Sequence, residues 1–162
     1  MASSSASPSG GGSTPKDFFE LVKAIGESKS KQEEDRIVTD EVFYLKKIIA
    51  QAGTTKKKMK ELVIRSIYVE MLGQDASFAY IKAVELCAST SITQKRAGYL
   101  AASLFLSPDH EFRFMLVNQI QRDMKSSNAL EVSAALSAVC KIITEDMIPA
   151  VIFEVSINGK GW

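Results

Sequence analysis

Between Lys56 and Cys87 the chain runs KKKMKELVIRSIYVEMLGQDASFAYIKAVELC, two helical patterns with a stop between them. Met59, Leu62, Val63, Ile67, Met71 and Leu72 recur at three- and four-residue steps, the spacing of one helix face. Gly73 halts the pattern, and a glycine at that point predicts a left-handed cap. After Asp75 the periodicity restarts through Phe78, Ile81, Val84 and Leu86. Nothing in the stretch alternates with period two, so it reads as a helical hairpin.

The same pattern extends in both directions. Upstream, a first helix spans about Pro15 to Glu27, with Thr14 as its cap and Phe18, Leu21, Val22 and Ile25 on its apolar face. A second begins at Ser30, whose hydroxyl and the Glu33 carboxylate fit a capping box, carries Ile37, Val38, Leu45, Ile48 and Ile49, and ends at Gly53. Downstream, about Thr93 to Leu106 is apolar nearly all round, through Tyr99, Leu100, Leu104 and Phe105. Its small Ala97, Gly98, Ala101 and Ala102 predict a close crossing between neighbours. Ser107 and Pro108 open a sixth helix through Phe112, Met115, Leu116, Ile120 and Met124. Asn128 with Glu131 opens a seventh, bearing Val132, Leu136, Val139 and Ile143, and an eighth starts near Pro149.

The third, fifth and seventh helices start near Lys56, Gln94 and Ala129, a spacing of about 35 to 38 residues with a returning partner in each interval. Such hairpins cannot hide their apolar faces alone and must stack. The expected fold is all-α: a right-handed α-solenoid of HEAT/armadillo-like helical hairpins over residues 15–155. A Ser/Gly-rich tail at 1–14 cannot bury enough apolar area to offset the entropy of ordering, and is expected to be disordered. Residues 156–162 are expected to be irregular, the chain stopping as a truncated product would.

Of 162 residues, 46% are hydrophobic, enough for one compact domain. Twenty lysines and arginines stand against nineteen acids, which excludes the uniform basic field of a dedicated nucleic-acid binder. Cys87 and Cys140 lie far apart inside apolar segments, without zinc-site or redox-pair spacing, and predict packing in a reducing intracellular compartment. The longest uncharged run past the tail, Ala97 to Pro108, falls well short of the ~20 apolar residues a bilayer demands. No P-loop, dinucleotide fingerprint, metal-ligand set or nucleophile elbow occurs, so no catalytic residue, cofactor or metal is assigned.

Particular strings go further than the period. MLGQDASFAYIKAV (Met71 to Val84) and KRAGYLA (Lys95 to Ala101), with KSKQEEDRIV (Lys29 to Val38) and VCKIITEDMIPAV (Val139 to Val151), resemble the N-terminal trunk of the adaptins. The resemblance is nearest to plant-like epsilon-type large subunits of the fourth adaptor protein complex and covers about Pro15 to Val151. It implies a non-enzymatic large subunit of a heterotetrameric vesicle coat that sorts cargo at the trans-Golgi network. It also implies a second large, a medium and a small subunit as partners, recruitment by an Arf-class small GTPase, and a peripheral place on the cytoplasmic face of Golgi membranes with a cytosolic pool. Past Ala150 the string VIFEVS leaves the family's usual continuation. The alternative is a generic helical-repeat scaffold that binds peptides in a groove; asparagine and aromatic ladders would mark it, and none is seen.

One cluster invites a functional reading. Lys56, Lys57, Lys58 and Lys60 crowd the start of the third helix, with Arg65 about one turn beyond. Each basic residue near an anionic surface gains roughly 1 kcal/mol. Related large subunits of the plasma-membrane adaptor hold phosphoinositide headgroups on a lysine run near this place, although alignment on the Leu-Gly-x-Asp string sets that run on Met59, Lys60 and Glu61. The plain reading is a solvated polar face. Positive charge at a helix N-terminus opposes the macrodipole, however, and an anion there would relieve it. His110, between Asp109 and Glu111, reads as an exposed surface histidine, with the two acids complementing the helix dipole and Ser107 serving as cap.

Overall fold

The computed structural model describes residues 16–158, which form α1 (Phe18–Gly26), α2 (Lys31–Ile49), α3 (Lys56–Met71), α4 (Tyr80–Cys87), α5 (Ile92–Phe105), α6 (Phe112–Met124), α7 (Ala129–Ile142) and α8 (Ile148–Asn158). Short 3₁₀ turns, Ser77–Ala79 and Glu145–Met147, lead into α4 and α8. The tail at 1–14 lies outside the described residues, as do residues 159–162. The last helix runs through Asn158, so residues 156–158 form its final turn instead of an irregular end.

Local chemistry sets the boundaries. Asp17, not Thr14, caps α1: its carboxylate accepts from Glu20 N at 2.9 Å, while Glu20 reaches back to Lys16 N. Ser30 caps α2 in the same manner, with Glu33 accepting from Lys29 N, one residue before the cap. Both helices thus begin with a reciprocal pair that satisfies orphan amides. At the end of α3, Gln74 N donates to Val69 O and Gly73 N to Glu70 O, a Schellman cap. It needs the φ of +86° that Gly73 adopts. Helix α2 already stops at Ile49, and Gly53, at φ +85°, serves the turn that follows.

Ser107 is not a cap. Helix α6 starts at Phe112 behind Glu111, with no side-chain capping bond, because Ser107 to Glu111 form a separate turn. Asn128 does cap α7, accepting from Leu130 N, and Glu131 accepts from Ser126 Oγ instead of closing a box.

The hairpins α2–α3, α4–α5 and α6–α7 stack so that α3, α5 and α7 lie side by side in one row, with α4, α6 and α8 behind. This is a HEAT-like helical solenoid, all helix and turn among the described residues. Leu62, Val63, Ala83, Cys87, Ala101, Leu116, Ile120 and Ile142 form a continuous core between the layers. The tightest crossing is at Gly98, where a Cβ would lie 2.6 Å from Cys87 N and 2.8 Å from Ala83 O. Only a glycine lets α5 come this close to α4. Helix α5 does lie among neighbours, but one stripe stays open: Leu100 and Leu104 are 40% and 42% exposed.

Candidate functional site

The turn after α2, shaped by Gly53, delivers the chain to Thr55, whose Oγ1 caps α3 by accepting from Lys58 N at 3.3 Å. Lys56 and Lys57 follow, both exposed, and the first turn of α3 contains no acid. The positive end of the helix dipole is therefore reinforced by like charge. Lys58 is tied to Glu61 at 3.0 Å, and Lys60 is half-buried. A small cleft of ≈ 120 Å³ opens beside Lys56, walled by Gln51, Gly53, Thr54 and, from α4, Lys82 and Glu85. Lys82 is held by both Glu85 oxygens at 2.9 Å. The part of the lysine run open to an outside anion is thus Lys56 and Lys57.

Arg65 does not belong to this surface. It is fully buried, gripping Glu41 of α2 with Nε to Oε1 at 2.7 Å and Nη2 to Oε2 at 2.6 Å, with Glu61 at 3.9 Å from Nη1. The Tyr44 ring lies 5.0 Å from its guanidinium carbon, and Nη1 donates to Lys16 O. A bidentate buried pair of this kind locks α2 onto α3 and holds the entry to α1.

Two further buried cations repeat the device along the solenoid. Lys95 of α5 reaches Asp123 of α6 at 2.6 Å, and Asp123 also accepts from Tyr99 OH at 2.6 Å and Gln119 Nε2 at 2.8 Å. Arg113 of α6 donates to the carbonyls of Leu106 and Ser107, just past the end of α5, and of Ile142, the last residue of α7. Among the described residues no buried side-chain nitrogen or oxygen lacks a partner. Burial first, then the hydrogen bond to Asp123, pushes the Tyr99 hydroxyl above its ordinary range. Burial first, then the Asp123 charge, does the same to the Cys87 thiol. Neither group is disposed to give up a proton near neutrality.

Of these groups, Glu41 and Asp123 stand out in the sequence as anomalies. Glu41 sits between Val38 and Leu45, and Asp123 follows Leu116 and Ile120, each on an apolar stripe at helical spacing. A lone charge on such a stripe signals a buried pair, since an unpaired one would be prohibitive.

Other expectations need correction. His110 is half-buried, its ring 5.1 Å from Tyr80 and 5.3 Å from Phe112, and its Nδ1 accepts from Phe112 N. It is packed because the turn from Ser107 folds back over α4. Cys87 is buried as expected, but Cys140 is exposed, on the outer side of α7. Among the described residues no group of His, Cys, Asp and Glu could hold a metal, and no helix is long and apolar enough to cross a membrane.

Residues 35–156 match the family model described as the adaptin N-terminal region. The AP-4 complex subunit epsilon of Arabidopsis thaliana is 51% identical over 146 residues, and the AP-4 complex subunit epsilon-1 of Homo sapiens 43% identical over 150; each match covers 90% of the chain. The AP-4 complex subunit epsilon of Dictyostelium discoideum is 46% identical over 83% of the chain. The chain spans only 16%, 13% and 12% of the lengths of these three relatives.

Proposed function

The chain belongs to the adaptin N-terminal family, and from that premise we propose that it works as trunk scaffold in a heterotetrameric vesicle-coat adaptor, without catalysing a reaction. Its helical rows hold a second large, a medium and a small subunit, and the assembly sorts cargo at the trans-Golgi network under an Arf-class GTPase. The observation that carries the reading is structural. Among the described residues the buried charges Glu41, Arg65, Lys95, Arg113 and Asp123 are consumed in bonds between helices, while Lys56, Lys57, Arg96 and Lys141 lie exposed at the surface. Such an arrangement supports a role in presenting faces to partners.

Membrane contact falls to Lys56 and Lys57, with Lys58 and Lys60 at the margin. The first-turn amides of α3 that Thr55 does not take belong to the same helix end as the exposed Lys56 and Lys57, which suits an anionic headgroup. Arg65 is excluded from that contact by its burial.

The test is co-purification of the chain with the medium, small and second large subunits of an AP-4-type complex expressed together. Recovery of at least one of them in stoichiometric amount is the expected result. Loss of all three, with the chain's helical circular-dichroism spectrum intact, would overturn the trunk assignment.

A further inference from the structure

The row formed by α3, α5 and α7 carries a feature that the lysine edge does not explain. Between these helices runs a groove of ≈ 490 Å³, floored by Ile64, Ile67, Ile92, Leu100 and Leu130. Its size falls within the roughly 300–1,000 Å³ of ligand-binding clefts. Leu130 is 60% exposed and Leu100 opens to the same side. Two cations stand in the lining, Arg96 on α5 and Lys141 on α7, and no acid does. Among the described residues neither has an ion-pair partner, unlike the neighbouring Lys95, which is consumed by Asp123. Lys60 lies one turn before Ile64 on the same stripe of α3, which extends the positive rim. Apolar floor and unmatched positive rim together define what is missing: an apolar ridge flanked by carboxylates.

The backbone decides what form that ridge takes. Helices spend their amides and carbonyls internally, so this surface offers almost no main-chain partners. An extended peptide laid here would leave its own backbone groups unmatched, whereas a helix brings them already satisfied. The geometry points to the α3–α5–α7 groove as a docking site for an acidic amphipathic helix of a partner protein, with its leucine-type side chains seated over Ile64, Leu100 and Leu130 and its carboxylates on Arg96 and Lys141. The groove's own lining, Arg96 and Lys141 included, shares no residue with the Lys56–Lys57 site, and the docking does not depend on the trunk assignment.

The probe is a roughly 18-residue fluorescent peptide, long enough to hold a helix, with leucines on one face and glutamates flanking them. A twin carries lysine for every glutamate. Binding to the whole chain is followed by fluorescence anisotropy, beside the double variant Arg96→Glu, Lys141→Glu and the variant Leu130→Glu. All three positions are exposed, so the folds should hold, and circular dichroism checks them. Saturable binding of the acidic peptide is expected, weakened about tenfold or more by either variant, with the double variant now preferring the lysine twin. No binding of the acidic peptide, equal binding of both peptides to the unaltered chain, or indifference to the double variant would each overturn the proposal. Competition by anionic phosphatidylserine vesicles that depends on Arg96 and Lys141 would reassign the face to membrane and overturn it as well.

Discussion

The first turn of α3 and its third turn carry the same kind of charge nine residues apart and treat it in opposite ways. At Lys56 and Lys57 the cations are exposed, with a helix dipole pushing against them. At Arg65 the cation is sealed, held in two hydrogen bonds by Glu41. The contrast recurs within a dipeptide: Lys95 is buried on Asp123, while Arg96 lines the open groove. Charge on this chain is therefore divided between holding helices to one another and lying open at the surface. Position on the helix wheel, and not the length of a basic run, settles which.

If that division is right, removing an inner partner should be far more damaging than removing an outer cation. Asp123→Ala strands the Tyr99 hydroxyl and leaves Lys95 only Glu131 at 3.9 Å, and Arg65→Ala strands Glu41. Each should destabilise by about 3–5 kcal/mol in urea unfolding. A loss below about 1 kcal/mol at both would show that the inner pairs do not clamp the hairpins. Gly98→Ala probes the α4–α5 crossing by shape alone, because its Cβ meets Cys87 N at 2.6 Å. Destabilisation of about 1–3 kcal/mol is expected, since backbone atoms must shift to admit it.

A smaller effect follows from the protons held inside that junction. Cys87 and Tyr99 have ordinary values of 9.0 and 10.0, and both are raised in the folded chain. The unfolded chain releases these protons first, so stability is complete below about pH 9 and falls as pH climbs through 9 and 10 toward the raised native values. Melting temperatures measured from pH 8 to about 10.5 should decline, and Cys87→Ala should flatten the part that begins near 9. A profile level across this range would mean that the interior admits the thiolate.

Much of the architecture was legible beforehand because helix periodicity is local. Gly73, Ser30 and Asn128 perform at their helix ends as their types require, and the small residues of α5 meet α4 where a close crossing was expected. The errors share a cause. Ser107 as cap, His110 as a free surface group, Cys140 as packed and Arg65 as part of a lipid site were each judged from near neighbours in sequence. Their environments are set by residues from other helices or by rotation about the helix axis. Arg65 shows it best, since Glu41 lies twenty-four positions away. The apolar stripe on which Arg65 sits, between Leu62 and Val69, was the available clue.

The outer half of the comparison gives the smallest change in stability and the most direct test. Lys56→Gln with Lys57→Gln should leave the melting temperature within about 3 °C. The decisive measurement sets this variant beside Arg65→Gln in co-sedimentation with vesicles containing phosphoinositide, melting curves being recorded on the same samples. The lysine variant should lose vesicle binding and keep its melting temperature, while Arg65→Gln melts markedly lower. Undiminished vesicle binding by a folded Lys56→Gln, Lys57→Gln chain would contradict the division of charge on which the account rests.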